Sequence, residues 1–174
     1  AGAAAAAFAS LFISMTSLPE TTGGSTAGKL AKLAGEDWTA FGRSSLADRF
    51  SPADQITPAN VGALEVAWTL RVGEMPGPDS KGAHVFEATP LKIGDLVYIC
   101  TPHDKVVAAD ADTGKEVWRY DPELDKSTAA LMACRGLSYF ETGDEQGGEC
   151  AKRIIYGTLD ARLIAIDALS GKPC

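Results

Sequence analysis

A segment of 15 residues occurs twice in this chain, at a fixed spacing of 57 positions. Residues 101–115 return as residues 158–172, and each copy reads as a strand, a polar turn, a second strand and an Asp-x-x-Thr/Ser-Gly-Lys turn. The pairs that keep this spacing are Thr101/Thr158, Ala108/Ala165, Asp110/Asp167, Ala111/Ala168 and Gly114/Gly171. Self-similarity at a fixed period of this kind is typical of solenoids and propellers. The β character of the unit favours propeller blades.

The length of the chain limits how many such blades it holds. Its 174 residues leave room for about two units, whereas closed propellers usually need at least about four blades. We therefore expect an all-β fold that forms part of a propeller, with its partner blades on other chains or further along a longer protein. An autonomous small β-domain is disfavoured, because two blades leave open sheet edges and uncovered docking faces.

The amino-terminal run Ala1–Met15 is apolar and carries no charge. It is shorter than the roughly 20 residues that a spanning helix needs. Three interpretations are open: the end of a transmembrane helix, the apolar core of a signal peptide, or an alanine-rich linker. The absence of a basic start disfavours the signal peptide, so we expect the end of a truncated transmembrane helix. All three interpretations place the remainder of the chain outside the cytoplasm.

Composition separates the rest of the chain into a spacer and a globular part. Residues 16–35 are rich in Thr, Gly, Ser and Lys, which predicts a flexible spacer, and residues 36–174 form the predicted propeller part. The charge balance is acidic, with 23 Asp and Glu against 16 Lys and Arg. No basic patch is present, so nucleic acid is not an expected partner.

The four cysteines show no Cys-x-x-Cys spacing, and His84 and His103 are too far apart to predict a ligand pair, which disfavours zinc. Cys150 and Cys174 flank a predicted hairpin of Arg153–Thr158 and Leu163–Asp167. Antiparallel pairing brings the start of the first strand close to the end of the second, so a disulfide there is geometrically reasonable. Two unpaired thiols are the alternative.

Local patterns predict further elements. A helical turn is expected from Pro58 to near Gly62, and Gly94-Asp95 predicts a tight hairpin. Trp118 follows the first Thr-Gly-Lys turn at a spacing suited to a ring that lies between adjacent sheets, although an ordinary half-buried strand tryptophan is also possible. The other predicted strands are Leu64–Leu70, Ala88–Ile93, Leu96–Thr101, Lys105–Asp110 and Glu116–Tyr120.

Two charged residues stand out against these apolar strands. Glu87 lies at the head of a strand, and Arg135 lies between Leu131-Met132-Ala133 and the next strand. In a propeller the inner strands start at the central channel, where the two side chains would converge on a ligand. An arginine paired with a carboxylate there would suit a polar, carboxylated cofactor. Solvated charges at strand ends are the simpler alternative.

An ordered set of motifs resembles the quinoprotein dehydrogenases, which use pyrroloquinoline quinone (PQQ). The resemblance covers roughly residues 36–174 and is strongest to the membrane-bound glucose/quinate/shikimate branch. The motifs that carry it are Asp37-Trp38, Phe41-Gly42-Arg43, Arg49-Phe50-Ser51-Pro52, Gln55-Ile56-Thr57, Asn60-Val61, Ala67-Trp68, Glu87-Ala88-Thr89-Pro90-Leu91, Ala108–Trp118, Tyr120-Asp121-Pro122-Glu123-Leu124 and Cys134-Arg135-Gly136-Leu137-Ser138-Tyr139.

This resemblance implies an eight-bladed propeller in the periplasm, tethered to the inner membrane by amino-terminal helices. It implies a PQQ-dependent dehydrogenase that oxidises a sugar or cyclic polyol of the glucose or quinate type and passes electrons to ubiquinone. It also implies a divalent cation, Ca²⁺ or Mg²⁺, that polarises the quinone carbonyl. The catalytic base and the cation ligands would lie beyond Cys174, so the isolated 174 residues are predicted to be inactive.

The resemblance also assigns roles to three residues of this chain. Glu87 matches a carboxylate that contacts PQQ, and Arg135 matches an arginine that binds the cofactor's ortho-quinone and carboxylate edge. Phe140 occupies a substrate-side position where the glucose enzymes carry His, which puts glucose specificity in doubt and favours quinate or another polyol. The alcohol dehydrogenase branch carries an adjacent Cys-Cys pair, whereas this chain has Ala129-Ala130 in that region and only Cys134.

A second class of protein shares part of this pattern. Propellers with PQQ-like repeats but no cofactor act as scaffolds in envelope protein assembly. They keep the Asp-x-x-Thr-Gly-x-x-x-Trp turns but need neither Glu87 nor Cys134-Arg135-Gly136, so the enzyme is the favoured interpretation.

Overall fold

The computed structural model describes residues 37–44, 46–74, 83–125, 127, 131–143 and 147–174. The predicted transmembrane segment (1–15) and spacer (16–35) lie outside these ranges, as do Ala129-Ala130 and residues 75–82, whose Pro- and Gly-rich sequence predicts a loop. Within the described part, no helix has the length and apolar character needed to cross a bilayer.

Within the described ranges the chain is built from short strands, preceded by one 3-10 helix at Val61–Ala63. The strands are β1 (Ala83–His84), β2 (Leu91–Ile93), β3 (Leu96–Cys100), β4 (Val106–Asp110), β5 (Glu116–Tyr120), β6 (Leu131–Met132), β7 (Ser138–Glu141), β8 (Lys152–Gly157) and β9 (Leu163–Asp167). The all-β prediction is confirmed for this part of the chain.

Two antiparallel meanders make up most of the fold. The first has the order β2-β3-β4-β5 and the second the order β7-β8-β9, so each strand pairs with its neighbour in sequence. The third sheet is a short parallel pair, β1 with β6, which joins the segment before the first meander to the segment before the second. This is the arrangement expected for two adjacent propeller blades.

The sequence repeat is also a repeat of hydrogen bonds. The backbone N–H of Thr101 donates to the Lys105 carbonyl at 2.9 Å, and 57 positions later Thr158 donates to Arg162 at the same distance. In the second turn, Asp110 Oδ1 accepts hydrogen bonds from the backbone N–H and hydroxyl of Thr113. Asp167 Oδ1 accepts the equivalent pair from Ser170. The repeated polar residues therefore close the same two turns in each meander.

The two meanders are joined through Trp118, as its spacing predicted. The indole lies on β5 and is 9% exposed, and its Nε1–H donates to the carbonyl oxygen of Ala168 at 3.1 Å. The buried Tyr98 hydroxyl donates to the same carbonyl at 3.0 Å. A large aromatic surface is thus buried between the blades while its polar atoms remain hydrogen-bonded.

The predicted strand Leu64–Leu70 is wrong, because these residues form no regular strand. Trp68 nevertheless docks on the first meander in the way that Trp118 docks on the second, since its Nε1–H donates to the Ala111 carbonyl at 3.0 Å. A strand requires a hydrogen-bonded neighbour, and none lies beside residues 64–70 in the described part of the chain. The segment therefore has the sequence pattern of a strand but no hydrogen-bonded strand beside it in the described part of the chain.

Smaller differences concern strand ends. β2 begins at Leu91 rather than Ala88, directly after Pro90, which has no N–H to donate to a ladder. The hairpin of β8 and β9 lies within one residue of its predicted bounds. Cys150 and Cys174 are joined by a disulfide across the ends of this hairpin, with their Cα atoms 5.8 Å apart.

Candidate functional site

The parallel pair of β1 and β6 brings Glu87 and Arg135 together. His84 pairs with Met132 in the ladder, and the N–H of Val85 donates to the Met132 carbonyl at 2.9 Å. Glu87 lies three residues beyond His84, and Arg135 lies three residues beyond Met132. In a parallel pair, residues at the same distance beyond two paired residues lie side by side. The convergence of the two predicted cofactor-binding residues is therefore a consequence of register.

The two side chains form an ion pair, with Arg135 Nη1 donating to Glu87 Oε1. Both are accessible: the arginine side chain is 75% exposed and the glutamate side chain 42% exposed. Such exposed pairs typically contribute only about 0–1 kcal/mol to stability. A guanidinium also has five N–H donors, and Glu87 is the only hydrogen-bond partner of the Arg135 side chain among the described residues. The pair thus presents unused donors to a ligand.

This donor set fits the cofactor that the resemblance implies. PQQ carries carboxylates and a quinone, both of which accept hydrogen bonds, and arginine binds planar carboxylates through two parallel N–H donors. Glu87 Oε1 is occupied by Arg135, which orients the guanidinium. The exposed, paired arginine therefore matches the acceptor-rich edge of such a ligand.

A second disulfide joins Cys100 to Cys134, the residue that immediately precedes Arg135. Cys100 is the last residue of β3 and Cys134 precedes Arg135, and both are buried. This pair was not predicted, although one signal for it was available. Once a bond between Cys150 and Cys174 is considered, Cys100 and Cys134 are the two cysteines left to pair with each other.

A charged cluster that was not predicted surrounds the β3–β4 turn. The Lys105 ammonium lies 3.4 Å from Glu74 Oε1 and 2.9 Å from Asp121 Oδ2, and the hydrogen bond with Asp121 is the main reason that its pKa is raised. The backbone N–H of His103 donates to Glu74 Oε2 at 3.2 Å. An open cavity of about 330 Å³ lies beside this turn, lined by His103, Lys105, Asp121, Glu123 and Leu124.

The two histidines are closer than their sequence separation suggested. The rings of His84 and His103 meet edge to face with their centroids 5.1 Å apart, because β1 packs beside the β3–β4 turn. The expectation that they lie far apart is wrong. The one cluster of three ligand-type side chains in the described part of the chain is Cys100, Asp104 and Cys134, and it includes neither histidine.

That cluster does not offer metal-binding thiolates. Its two cysteines are joined to each other, so Asp104 is left as the single carboxylate among them. Oxidised sulfurs are poor metal ligands, because it is the thiolate that binds. The ligands of the divalent cation that the resemblance implies therefore stay predicted beyond Cys174.

Phe140 lies on β7, five residues beyond Arg135. Its ring is half exposed, and the Arg153 guanidinium of the neighbouring strand lies 5.3 Å from its centroid. This stacking is a cation–π contact. The structure thus gives Phe140 a contact within its own sheet, and its substrate-side role stays a prediction.

Comparison with known proteins agrees with the propeller fold. The family model described as the β-propeller domain of PQQ glucose/ethanol/alcohol dehydrogenases matches residues 38–174. The chain is 42% identical over 151 residues to the quinoprotein glucose dehydrogenase of Escherichia coli K12, covering 83% of this chain and 19% of that protein. It is 33% identical to the quinate/shikimate dehydrogenase (quinone) of Acinetobacter baylyi, covering 79% of this chain and 19% of that protein.

A solved structure supports the same architecture. The quinohemoprotein alcohol dehydrogenase from Pseudomonas putida HK5 superposes with a TM-score of 0.67 at 30% sequence identity, over 84% of this chain and 20% of that one. The chain spans about a fifth of the length of the curated relatives it matches.

Proposed function

Because the chain belongs to the family of PQQ-dependent glucose/ethanol/alcohol dehydrogenase β-propellers, we propose that it forms the first two blades of a membrane-bound quinoprotein dehydrogenase. The whole enzyme would be an eight-bladed propeller in the periplasm, anchored in the inner membrane. It would oxidise a sugar or a cyclic polyol and deliver the electrons to ubiquinone. The names of the glucose and quinate relatives support this substrate class.

The observation that carries the proposal is the ion pair of Glu87 and Arg135. Both residues were assigned to the cofactor by resemblance, and the β1–β6 ladder brings them side by side at an accessible position. A pair that served only stability would contribute little there. A pair that binds a ligand needs hydrogen-bond donors that the ligand can reach.

Within this proposal, Arg135 binds and orients the acceptor groups of PQQ, and Glu87 fixes the guanidinium by accepting one of its hydrogen bonds. The bound cofactor supplies the two-electron acceptor for the hydride that leaves the substrate carbon. The proton of the substrate hydroxyl requires a carboxylate base, which we assign to residues beyond Cys174, together with the ligands of a Ca²⁺ or Mg²⁺ ion.

Substrate choice between glucose and quinate rests on Phe140 in this proposal. A phenyl ring offers no hydrogen bond to a sugar hydroxyl, so a site that contains it favours quinate or a less polar polyol over glucose. The higher identity to a glucose dehydrogenase supports the opposite choice. A panel of glucose, quinate, shikimate and polyols, assayed with PQQ and metal added back, separates the two.

The alternative function is a cofactor-free scaffold in envelope assembly. Such a scaffold has no use for an exposed arginine held by a carboxylate, so the Glu87–Arg135 pair favours the enzyme. PQQ binding separates the two functions directly, since the scaffold would not bind it.

The test is a PQQ titration of the full-length apoprotein, followed by fluorescence. We expect Arg135→Ala to raise the dissociation constant about 10- to 100-fold, because hydrogen bonds to a charged group contribute about 1.5–3 kcal/mol. Arg119→Ala is the matched control, since Arg119 forms a comparable ion pair with Glu116 on the outer strand β5. Unchanged PQQ affinity in Arg135→Ala contradicts the assignment.

A further inference from the structure

Arg135 is poorly fixed by its own contacts. Its side chain is largely exposed, its single described partner is Glu87, and β6 before it is only two residues long. Gly136 after it has a φ of 142°, a backbone conformation that other residues rarely adopt. A binding residue that follows so short a strand needs a further constraint to keep its geometry.

The disulfide of Cys134 supplies that constraint. Cys134 immediately precedes Arg135 and is 3% exposed, and its partner Cys100 ends β3 in the centre of the first meander and is 2% exposed. A covalent bond therefore ties the backbone beside Arg135 to the four-stranded sheet, whose strand β4 is buried over Val106, Val107, Ala108 and Ala109. Cys100 itself pairs with Val106 in the β3–β4 ladder, which fixes the other end of the bond.

Asp104 connects the Cys100–Cys134 disulfide to the second blade. Its carboxylate lies within 4.8 Å of both sulfurs, and its Oδ2 accepts a hydrogen bond from the backbone N–H of Leu159 at 2.6 Å. Leu159 belongs to the turn between β8 and β9. The disulfide thus lies where the first blade, the second blade and the segment of Arg135 meet.

We propose that the Cys100–Cys134 disulfide is a positioning element for the cofactor site, which holds the Arg135 guanidinium against Glu87 in the geometry that binds PQQ. This inference rests on the proposed function, because it takes Arg135 as a PQQ-binding residue. It adds that PQQ affinity depends on a bond that does not touch the cofactor.

The second disulfide provides a matched control. Cys150 and Cys174 are 24 positions apart and Cys100 and Cys134 are 34 apart, and the stabilisation from closing a loop changes only slowly with its length. The two bonds should therefore contribute similarly through loop closure, although only Cys100 and Cys134 are both buried. Only Cys100–Cys134 adjoins the Glu87–Arg135 pair.

The experiment compares two double variants of the full-length protein, Cys100→Ala/Cys134→Ala and Cys150→Ala/Cys174→Ala. We expect a lower thermal midpoint in both variants, with the larger loss in the first because its cysteines are buried, but a roughly tenfold higher PQQ dissociation constant only in the first. At saturating PQQ, the substrate KM should be unchanged in both variants. Equal PQQ affinity in the two variants overturns the inference.

Two further measurements keep the outcome decisive. If the alanine variant does not fold, Cys100→Val/Cys134→Ala retains more core volume, and amide hydrogen exchange should be faster at residues 131–137 but not at residues 163–167. Slow exchange at residues 131–137 in this variant also overturns the inference.

The Arg135→Ala variant separates the proposed function from the positioning role of the disulfide. Unchanged PQQ affinity in Arg135→Ala refutes the proposed function. A loss of PQQ affinity in Arg135→Ala without a loss of PQQ affinity in the Cys100/Cys134 variant refutes only the positioning role of the disulfide.

Discussion

The indole of Trp118 lies directly against Gly171 of the neighbouring blade, so closely that a Cβ atom on that glycine would lie 2.7 Å from the ring carbon Cδ2. Gly114 has the same relationship to Trp68, at 2.4 Å. The glycine of each repeated turn is therefore the surface on which the tryptophan of the preceding segment packs. Gly114 and Gly171 also have positive φ values, 67° and 73° respectively. The close contact with the indole and the left-handed backbone are therefore two independent reasons for glycine at these positions.

We predict that Gly171→Ala destabilises the full-length protein more than Gly94→Ala does. Both positions have positive φ, but a Cβ at Gly94 would meet nothing within 4 Å. Gly94→Ala should cost about 1–2 kcal/mol for the left-handed backbone, whereas Gly171→Ala adds about 1–3 kcal/mol for overpacking. Urea unfolding measures the difference, and equal losses would show that the indole contact is not tight.

The buried carboxyl of Asp104 makes stability depend on pH. Its pKa is raised mainly by burial, so the folded state holds this proton more tightly than the unfolded state does. Stability from this group is therefore fully present below about pH 4, the ordinary pKa of Asp, and is lost as the pH rises through the folded pKa. Asp104→Asn should raise the thermal midpoint relative to wild type more at about pH 7 than at about pH 4.

Asp110 is the control for this prediction because its shift has the opposite sign. Hydrogen bonds from Thr113 lower its pKa, so its contribution is present above about pH 4 and is lost as the pH falls through the folded pKa. Asp110→Asn should therefore lower the midpoint near neutral pH, with the loss shrinking in acid. The same pH trend in both variants would contradict these assignments.

Phe140→His tests the substrate-side assignment. An imidazole restores a hydrogen-bonding group, so we expect the ratio of kcat/KM for glucose over quinate to rise about tenfold, the effect of about 1.4 kcal/mol. Phe140→Leu adds no hydrogen-bonding group and serves as the control, although it loses the stacking on Arg153. A change in thermal midpoint without a change in that ratio would assign Phe140 to packing alone.

We also expect the 174 residues alone to show no PQQ-dependent dye reduction. They span about a fifth of the relatives, and the resemblance places the catalytic base and the cation ligands beyond Cys174. Measurable turnover by this segment would show that its own carboxylates suffice.

Local features of this protein were predictable because their determinants lie within a few residues of one another. Asp110, Thr113 and Gly114 close one turn by hydrogen bonds among themselves, and the same pattern recurs at Asp167, Ser170 and Gly171. The strands on either side, β4 with β5 and β8 with β9, were accordingly predicted to within a residue. The resemblance likewise singled out Glu87 and Arg135.

By itself, the sequence determined the two meanders, the turns that repeat at 57 positions, and the tryptophan that joins one blade to the next. Only the tertiary structure decided that Cys100 meets Cys134, that His84 meets His103, and that Glu87 and Arg135 form a direct ion pair. Among the residues that the structure describes, it also provides no strand to pair with residues 64–70, although their pattern is that of a strand. The physical reason is the range of the forces: a turn is closed by neighbours along the chain, whereas these contacts depend on how separate sheets stack and on whether a neighbouring strand is there to accept hydrogen bonds.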